Sequence, residues 1–152
     1  MSSVLVVDDE PRMREILVRW LAPAGYITRE APDADAAIDS LTSHLSDVVF
    51  CDIQMPGHDG LWLVAQLRER FPGVAIVLAT GVDSVPPVVS MQGGVVEYLL
   101  KPFERGRVLE AVKRAIEWQQ TRAARGSVSG AGADPLKDWL EADDDGPATR
   151  AK

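Results

Sequence analysis

Short apolar runs alternate along the chain with stretches in which apolar residues recur every three or four positions. Val4 to Val7 is the first such run, ended by Asp8-Asp9-Glu10. Pro11 then suits the first turn of a helix, where its missing N–H costs nothing. Met13, Ile16, Leu17, Trp20 and Leu21 follow at helical spacing, and Pro23 with Gly25 closes that helix. Tyr26-Ile27-Thr28 reads as a second strand, and Asp33 opens a second helix with Ala37, Ile38 and Leu41 on one face, ending near His44. Val48 to Cys51 is a third strand pattern that delivers Asp52 at its end, before turn signals at Pro56-Gly57 and Asp59-Gly60. A third helix carries Leu61, Val64, Leu67 and Phe71 and stops at Pro72-Gly73. Val74 to Ala79 forms a fourth strand running into Thr80-Gly81, and Val95 to Leu99 a fifth running into Lys101-Pro102. A last helix is expected from Glu104 to Gln120, with Val108, Val112 and Ile116 inward and Glu110 paired to Arg114.

Five strands that read as buried on both faces, alternating with helices, predict a parallel sheet covered on both sides. Right-handed crossovers make this a doubly wound α/β fold with five strands. Between the fourth and fifth strands stands Pro86-Pro87, and a proline costs roughly 3 kcal/mol in a helix interior. From Thr121 the chain turns rich in Ala, Gly and Ser. The expected organisation is therefore a domain over residues 1–120 and a flexible linker with an acidic tail over 121–152. Within that tail Leu136, Trp139 and Leu140 share one turn's face. They either dock on a partner or on the domain, or belong to a tail that happens to contain a tryptophan.

Composition narrows the function. Apolar residues make up 46% and charged residues 26%, ordinary for a soluble globular chain. A net charge of −7 argues against direct nucleic-acid binding, which favours a basic face. Cys51 is the single cysteine, so neither a disulfide framework nor a thiolate zinc site is expected. Met1-Ser2-Ser3 leads straight into the first strand pattern, so no leader and no membrane contact is expected, and the cytoplasm is the expected compartment.

Candidate chemistry gathers at the strand ends. An aspartate closing a strand is, taken alone, more often a turn or cap residue. In an open parallel sheet, however, ligands bind beyond the carboxyl ends of the strands, where Asp8, Asp9, Asp52, Thr80 and Lys101 should meet. Three carboxylates there repel one another unless something positive intervenes, and Mg²⁺ suits an all-oxygen site. Lys101 is the second positive charge. Asp52 is then placed as an in-line nucleophile towards a phosphoryl group, with Thr80 as hydrogen-bond donor. His44 and His58 lack metal-ligand spacing, Cys51 points to the opposite face of its strand, and Trp20 and Trp62 are expected to serve packing.

Over residues 2–120 the chain resembles the receiver domain of two-component response regulators, the CheY-like family, whose flavodoxin-like fold implies five helices around the five strands. The family's fourth helix would fall on the Pro86-Pro87 segment and is expected here to be short or irregular, beginning at or after Pro86 and stopping by Gly93, which implies an altered surface there or a harmless loop variant. The resemblance is carried by Asp8-Asp9, Asp52 with Met55-Pro56-Gly57 and Asp59-Gly60, Thr80-Gly81, and Tyr98 with Lys101-Pro102-Phe103. It implies that Asp52 accepts a phosphoryl group from a sensor histidine kinase or a histidine phosphotransfer protein. Mg²⁺ would be bound by Asp9 directly, by Asp8 mainly through water, by Asp52, and by the Gln54 backbone carbonyl. Thr80, Gly81 and Lys101 would grip the phosphoryl oxygens. Thr80 and Tyr98 would form the switch, and Lys101-Pro102 would be a cis peptide. Gln54 and Val82 would flank the approach of water. The expected activity is that of a phosphoacceptor signalling through contact with a protein target, rather than that of an enzyme. A receiver that never carries phosphate and serves only as an interaction module is the alternative. A phosphohydrolase working through an aspartyl-phosphate is a third reading, and its dehalogenase-like type is disfavoured because Gln54, not an acid, stands two residues after Asp52.

Overall fold

The structure, a computed structural model, describes residues 1–81 and 94–129, with side chains as far as 122. Its elements are β1 (Ser3–Val7), α1 (Pro11–Leu21), β2 (Ile27–Ala31), α2 (Ala34–Ser43), β3 (Val48–Asp52), α3 (Gly60–Arg70), β4 (Ala75–Thr80), β5 (Val95–Leu100) and α4 (Arg105–Ser129). The strands form one parallel sheet in the order β2-β1-β3-β4-β5. The chain starts at β1, builds outward to β2, then crosses back to β3. The β1–β3 boundary is therefore the point where the winding reverses, and a crevice opens there beyond the strand ends.

Alternation along the strands sorts the core into two layers. Leu5, Val7, Val49, Ile76 and Leu78 pack against Ala37, Ile38 and Leu41 of α2 and Leu63, Val64 and Leu67 of α3. Val4, Val6, Phe50, Val77 and Ala79 face the other way, against Leu17 and Leu21 of α1 and Val108, Val112 and Ile116 of α4. Two helices start on aspartate caps: Asp33 accepts from the Ala36 N–H at 2.8 Å, and Asp59 from the Trp62 N–H at 2.9 Å. Among the described residues no helix is long and apolar enough to cross a membrane.

The structure differs from the sequence expectation in two places. Burial on both faces holds for β1, β3 and β4, which are buried throughout, but not for β2 and β5, which are the sheet edges. An edge strand is covered less completely, so β2 carries Thr28, Arg29 and Glu30 and begins and ends later than the apolar triplet Tyr26-Ile27-Thr28 suggested. Secondly, α4 continues past Gln120 to Ser129, so residues 121–129 are helical rather than linker. Ala and Arg are strong helix formers, and Arg122 ties this stretch down by donating to the Pro72 carbonyl oxygen at 2.9 Å. Four helices lie among the described residues. The expected short helix falls on residues 82–93, and the tail segment Leu136 to Leu140 on residues 130–152; both lie outside the described residues.

Phe50 is 2% exposed, and its ring meets that of Phe103 edge-on at 5.9 Å. It thus joins the body of β3 to the turn that follows β5. Phe50→Ala should cost roughly 3–5 kcal/mol. Urea unfolding should register this as a lower midpoint with an unchanged slope.

Candidate functional site

Asp8 follows β1 directly. Its N–H donates to the Ala31 carbonyl at 3.2 Å, and its Oδ1 accepts from the Glu10 N–H at 2.9 Å. The second bond turns the backbone into α1 at once. Arg14, one turn into that helix, donates from Nη1 to the Asp8 carbonyl oxygen at 2.6 Å and from Nε to Glu30 at 3.1 Å. The β1–α1 turn is thereby clamped from above. Asp8 is buried at 2% exposure, whereas Asp9 is exposed.

Asp52 ends β3 and is 6% exposed. Its Oδ1 accepts from the Gln54 N–H at 3.3 Å, while the Ile53 N–H still pairs with Ala79 at 2.8 Å. The loop folds back so that the Gly60 N–H reaches the Ile53 carbonyl at 2.8 Å. A Cβ on Gly60 would lie 2.6 Å from the Asp52 carbonyl oxygen and 2.7 Å from the Ile53 Cα, backbone that cannot yield. Only glycine allows α3 to start this close beneath Asp52. Gly57, at φ +77°, makes the preceding turn.

Thr80 ends β4, fully buried, opposite Leu100 in register. The Lys101 N–H donates to the Thr80 carbonyl at 2.7 Å, and the Lys101-Pro102 peptide is cis. A Cβ on Gly81 would meet the Lys101 Cβ at 4.0 Å, so the Gly81 backbone borders that side chain. Lys101 Nζ stands 3.2 Å from Asp52 Oδ2 and 3.4 Å from Asp8 Oδ2. Carboxylate oxygens of Asp8, Asp9 and Asp52 lie within 4.8 Å of one another.

Charge at this site is only partly balanced. Burial raises the Asp52 pKa, the attraction of Lys101 lowers it, and Asp8 raises it again; the net result lies above the ordinary value of 3.8. At Lys101 burial opposes the charge, but Asp52 and then Asp8 outweigh it, so the ammonium is held above its ordinary value. Both shifts point upward, where a simple ion pair would move its partners apart. One lysine shared between two carboxylates accounts for that: it is well served, and they are not. The three-carboxylate set therefore fits a hard divalent cation, which adds the missing positive charge and favours oxygen ligands.

The sequence candidate Tyr98, and Cys51, expected on the opposite face of its strand, lie beside the cluster rather than in it. Tyr98 is half-buried on β5 opposite Leu78, packed on the α2–α3 layer, and its hydroxyl is buried with no hydrogen-bond partner among the described residues. Cys51 faces that same layer; its thiol donates to the Asp52 carbonyl at 3.2 Å and is pushed well up, by burial first and then by Asp52. A feature the sequence reading missed is His58, whose Nδ1 lies 3.1 Å from Asp35 and whose ring stacks on Trp62 at 3.7 Å. Trp62 stands four positions after His58, a spacing that hints at the stack, but nothing local pointed to Asp35. Exposed as they are, these groups tie α2 to the loop below Asp52 only weakly.

With this geometry established, comparison with known proteins places the chain. The profile of the response regulator receiver domain matches residues 4–113, and the chain belongs to that family, the phosphoacceptor signalling domain of two-component systems. It is 37% identical over 117 residues to the C4-dicarboxylate transport transcriptional regulatory protein DctD of Pseudomonas aeruginosa, which covers 76% of this chain and 25% of DctD. It is 36% identical over 118 residues to the DNA-binding transcriptional regulator NtrC of Escherichia coli, covering 77% of this chain and 25% of NtrC. The chain thus spans about a quarter of the length of the curated relatives it matches. Among solved structures, the response regulator TrrA of Thermotoga maritima in complex with Mg²⁺-BeF superposes with a TM-score of 0.69 at 33% identity, covering 76% of this chain and 99% of TrrA.

The raised Asp52 pKa sets a test in metal-free buffer. An acid whose folded-state pKa exceeds its unfolded value favours folding below the unfolded value and loses that contribution as pH rises through the folded value. Asp52→Asn removes the penalised charge. The variant should therefore unfold at higher denaturant concentration than the parent at pH 7, with the gap closing as pH falls through the raised folded value and gone below about 4. A parent equal to or more stable than Asp52→Asn at pH 7 without metal would contradict this charge balance.

Proposed function

We propose that the chain is a working receiver in which Asp52 accepts a phosphoryl group from the phosphohistidine of a sensor histidine kinase or a histidine phosphotransfer protein. The single observation that supports this best is Lys101 Nζ within 3.4 Å of both Asp52 and Asp8, with Asp9 completing the acidic set. Asp8, Asp9, Asp52 and the backbone carbonyl of Gln54 would hold Mg²⁺, which would neutralise phosphoryl charge. A carboxylate oxygen of Asp52 attacks phosphorus in line, the P–N bond to the donor imidazole breaks, and the electron pair leaves with that imidazole. Lys101, the Thr80 hydroxyl and the Gly81 backbone take the equatorial oxygens of the transferred group. Thr80 is drawn towards Asp52, Tyr98 follows into the space released, and the surface around β5 changes for a protein target in the cytoplasm. The Tyr98 hydroxyl, buried with no hydrogen-bond partner among the described residues, supports this reading, because a tyrosine so placed gains by changing position.

Acetyl phosphate with Mg²⁺ tests the proposal. Intact mass should show one added phosphoryl group on the parent, with acetate released, and none on Asp52→Asn. Lys101→Ala should retain Mg²⁺ binding while slowing the gain by about 10²-fold, the usual loss of one transition-state charge partner. Absence of any gain on the parent would make the chain a phosphate-independent interaction module, and steady turnover of unrelated phosphoesters would make it a hydrolase.

A further inference from the structure

Arg14 carries its charge where a cation is poorly placed. It is the fourth residue of α1, near the positive end of the helix dipole, and the first turn of that helix holds no acid to offset it. It also stands beside a site that would draw its positive charge from an ion. What the side chain gains there is two bonds: Nη1 donates to the Asp8 carbonyl at 2.6 Å, and Nε to Glu30 at 3.1 Å. The Arg14 side chain is 16% exposed and that of Glu30 47%. Glu30 stands opposite Val6 in the β1–β2 register, and its neighbour Ala31 accepts the Asp8 N–H. Arg14 therefore reaches from α1 across the end of β1 to β2.

Every polar group of Asp8 is taken up. Its N–H goes to Ala31, its carbonyl to Arg14, its Oδ1 to the Glu10 N–H, and its Oδ2 faces Lys101. Asp9 differs: it is exposed, and among the described residues no hydrogen bond or ion pair holds its carboxylate. Its direction is set by the peptide that joins it to Asp8, and the oxygen of that peptide is the atom Arg14 holds. Little else steadies the turn. Glu10, at the N-cap position, makes no side-chain cap, and Pro11 has no N–H to offer. Groups that orient a metal ligand from behind matter nearly as much as the ligand, and losing one typically costs about 10- to 100-fold in metal affinity.

We propose that Arg14, anchored on Glu30, is a positioning residue that fixes the Asp8–Asp9 peptide and so presents the Asp9 carboxylate to the divalent cation. This rests on the reading of Asp8, Asp9 and Asp52 as the Mg²⁺ set, but not on phosphoryl transfer. Charge and position act in opposite directions here. Removing a nearby cation tightens a cation site by charge alone, whereas removing a positioning residue loosens it. Mg²⁺ titration of the full chain, followed by amide NMR without a phosphodonor, should give Arg14→Met a dissociation constant about tenfold above the parent's. Glu30 supplies a comparison free of charge differences. Glu30→Gln keeps an acceptor for Arg14 Nε and Glu30→Ala does not, yet both lose the same charge. Glu30→Ala should therefore bind Mg²⁺ several-fold more weakly than Glu30→Gln. Should Arg14→Met fail to fold, the Glu30 pair still decides, because Glu30 is half exposed. Arg14→Met binding Mg²⁺ as tightly as the parent, or tighter, would overturn the proposal, and so would equal affinities for the two Glu30 variants. A parent that binds no Mg²⁺ would overturn it together with the metal site. Mg²⁺ binding without any phosphoryl gain from acetyl phosphate would overturn only the phosphoacceptor reading.

Discussion

Two carboxylates, Asp8 and Asp52, are held almost out of water beside each other, with a single ammonium between them. Removing an ion from water costs several kcal/mol even after the protein relaxes, and one lysine cannot offset that for two acids. The upward shift at Asp52 records the deficit. A site of this kind is destabilising for the bare fold and correspondingly receptive to added positive charge. The same imbalance links the fold's energetics to the binding of a divalent cation.

The remainder of the sheet holds the imbalance in place. Parallel register aligns the strand ends, so Asp52 pairs with Ala79 and Thr80 with Leu100, and Lys101 enters the crevice one residue later. The backward step from β2 to β3 leaves the space between β1 and β3 uncovered at their carboxyl ends. Gly60 lets α3 begin against the Asp52 backbone. The Phe50–Phe103 contact packs β3 against the turn from which Lys101 extends. Each of these holds a charged group where it would not otherwise stay.

Much of this was legible in the residues. The buried central strands announced themselves as continuous apolar runs, and Asp33 and Asp59 cap their helices as short polar residues before an apolar period do. Asp8, Asp52 and Lys101 could be assigned to one edge because each follows directly on a strand. The edge strands were less legible: β2 contains Arg29 and Glu30, and no local rule says which strand will lack a neighbour. The end of α4 was misplaced because composition shifts at Thr121, whereas the helix is sustained by the contact of Arg122 with Pro72, fifty positions away in the chain.

Local sequence, then, determined which segments are strands and helices and which chemistry-bearing residues end them, since apolar periodicity and turn residues act over a few positions. Tertiary structure alone decided how those ends meet. The distances from Lys101 to two separate carboxylates, the glycine-only approach of α3 to Asp52, the stack of His58 on Trp62 beside Asp35, and the Tyr98 hydroxyl without a partner among the described residues all depend on strand order and register. Those follow from burying both faces of the sheet at once, a condition satisfied by the whole chain and by no single stretch of it.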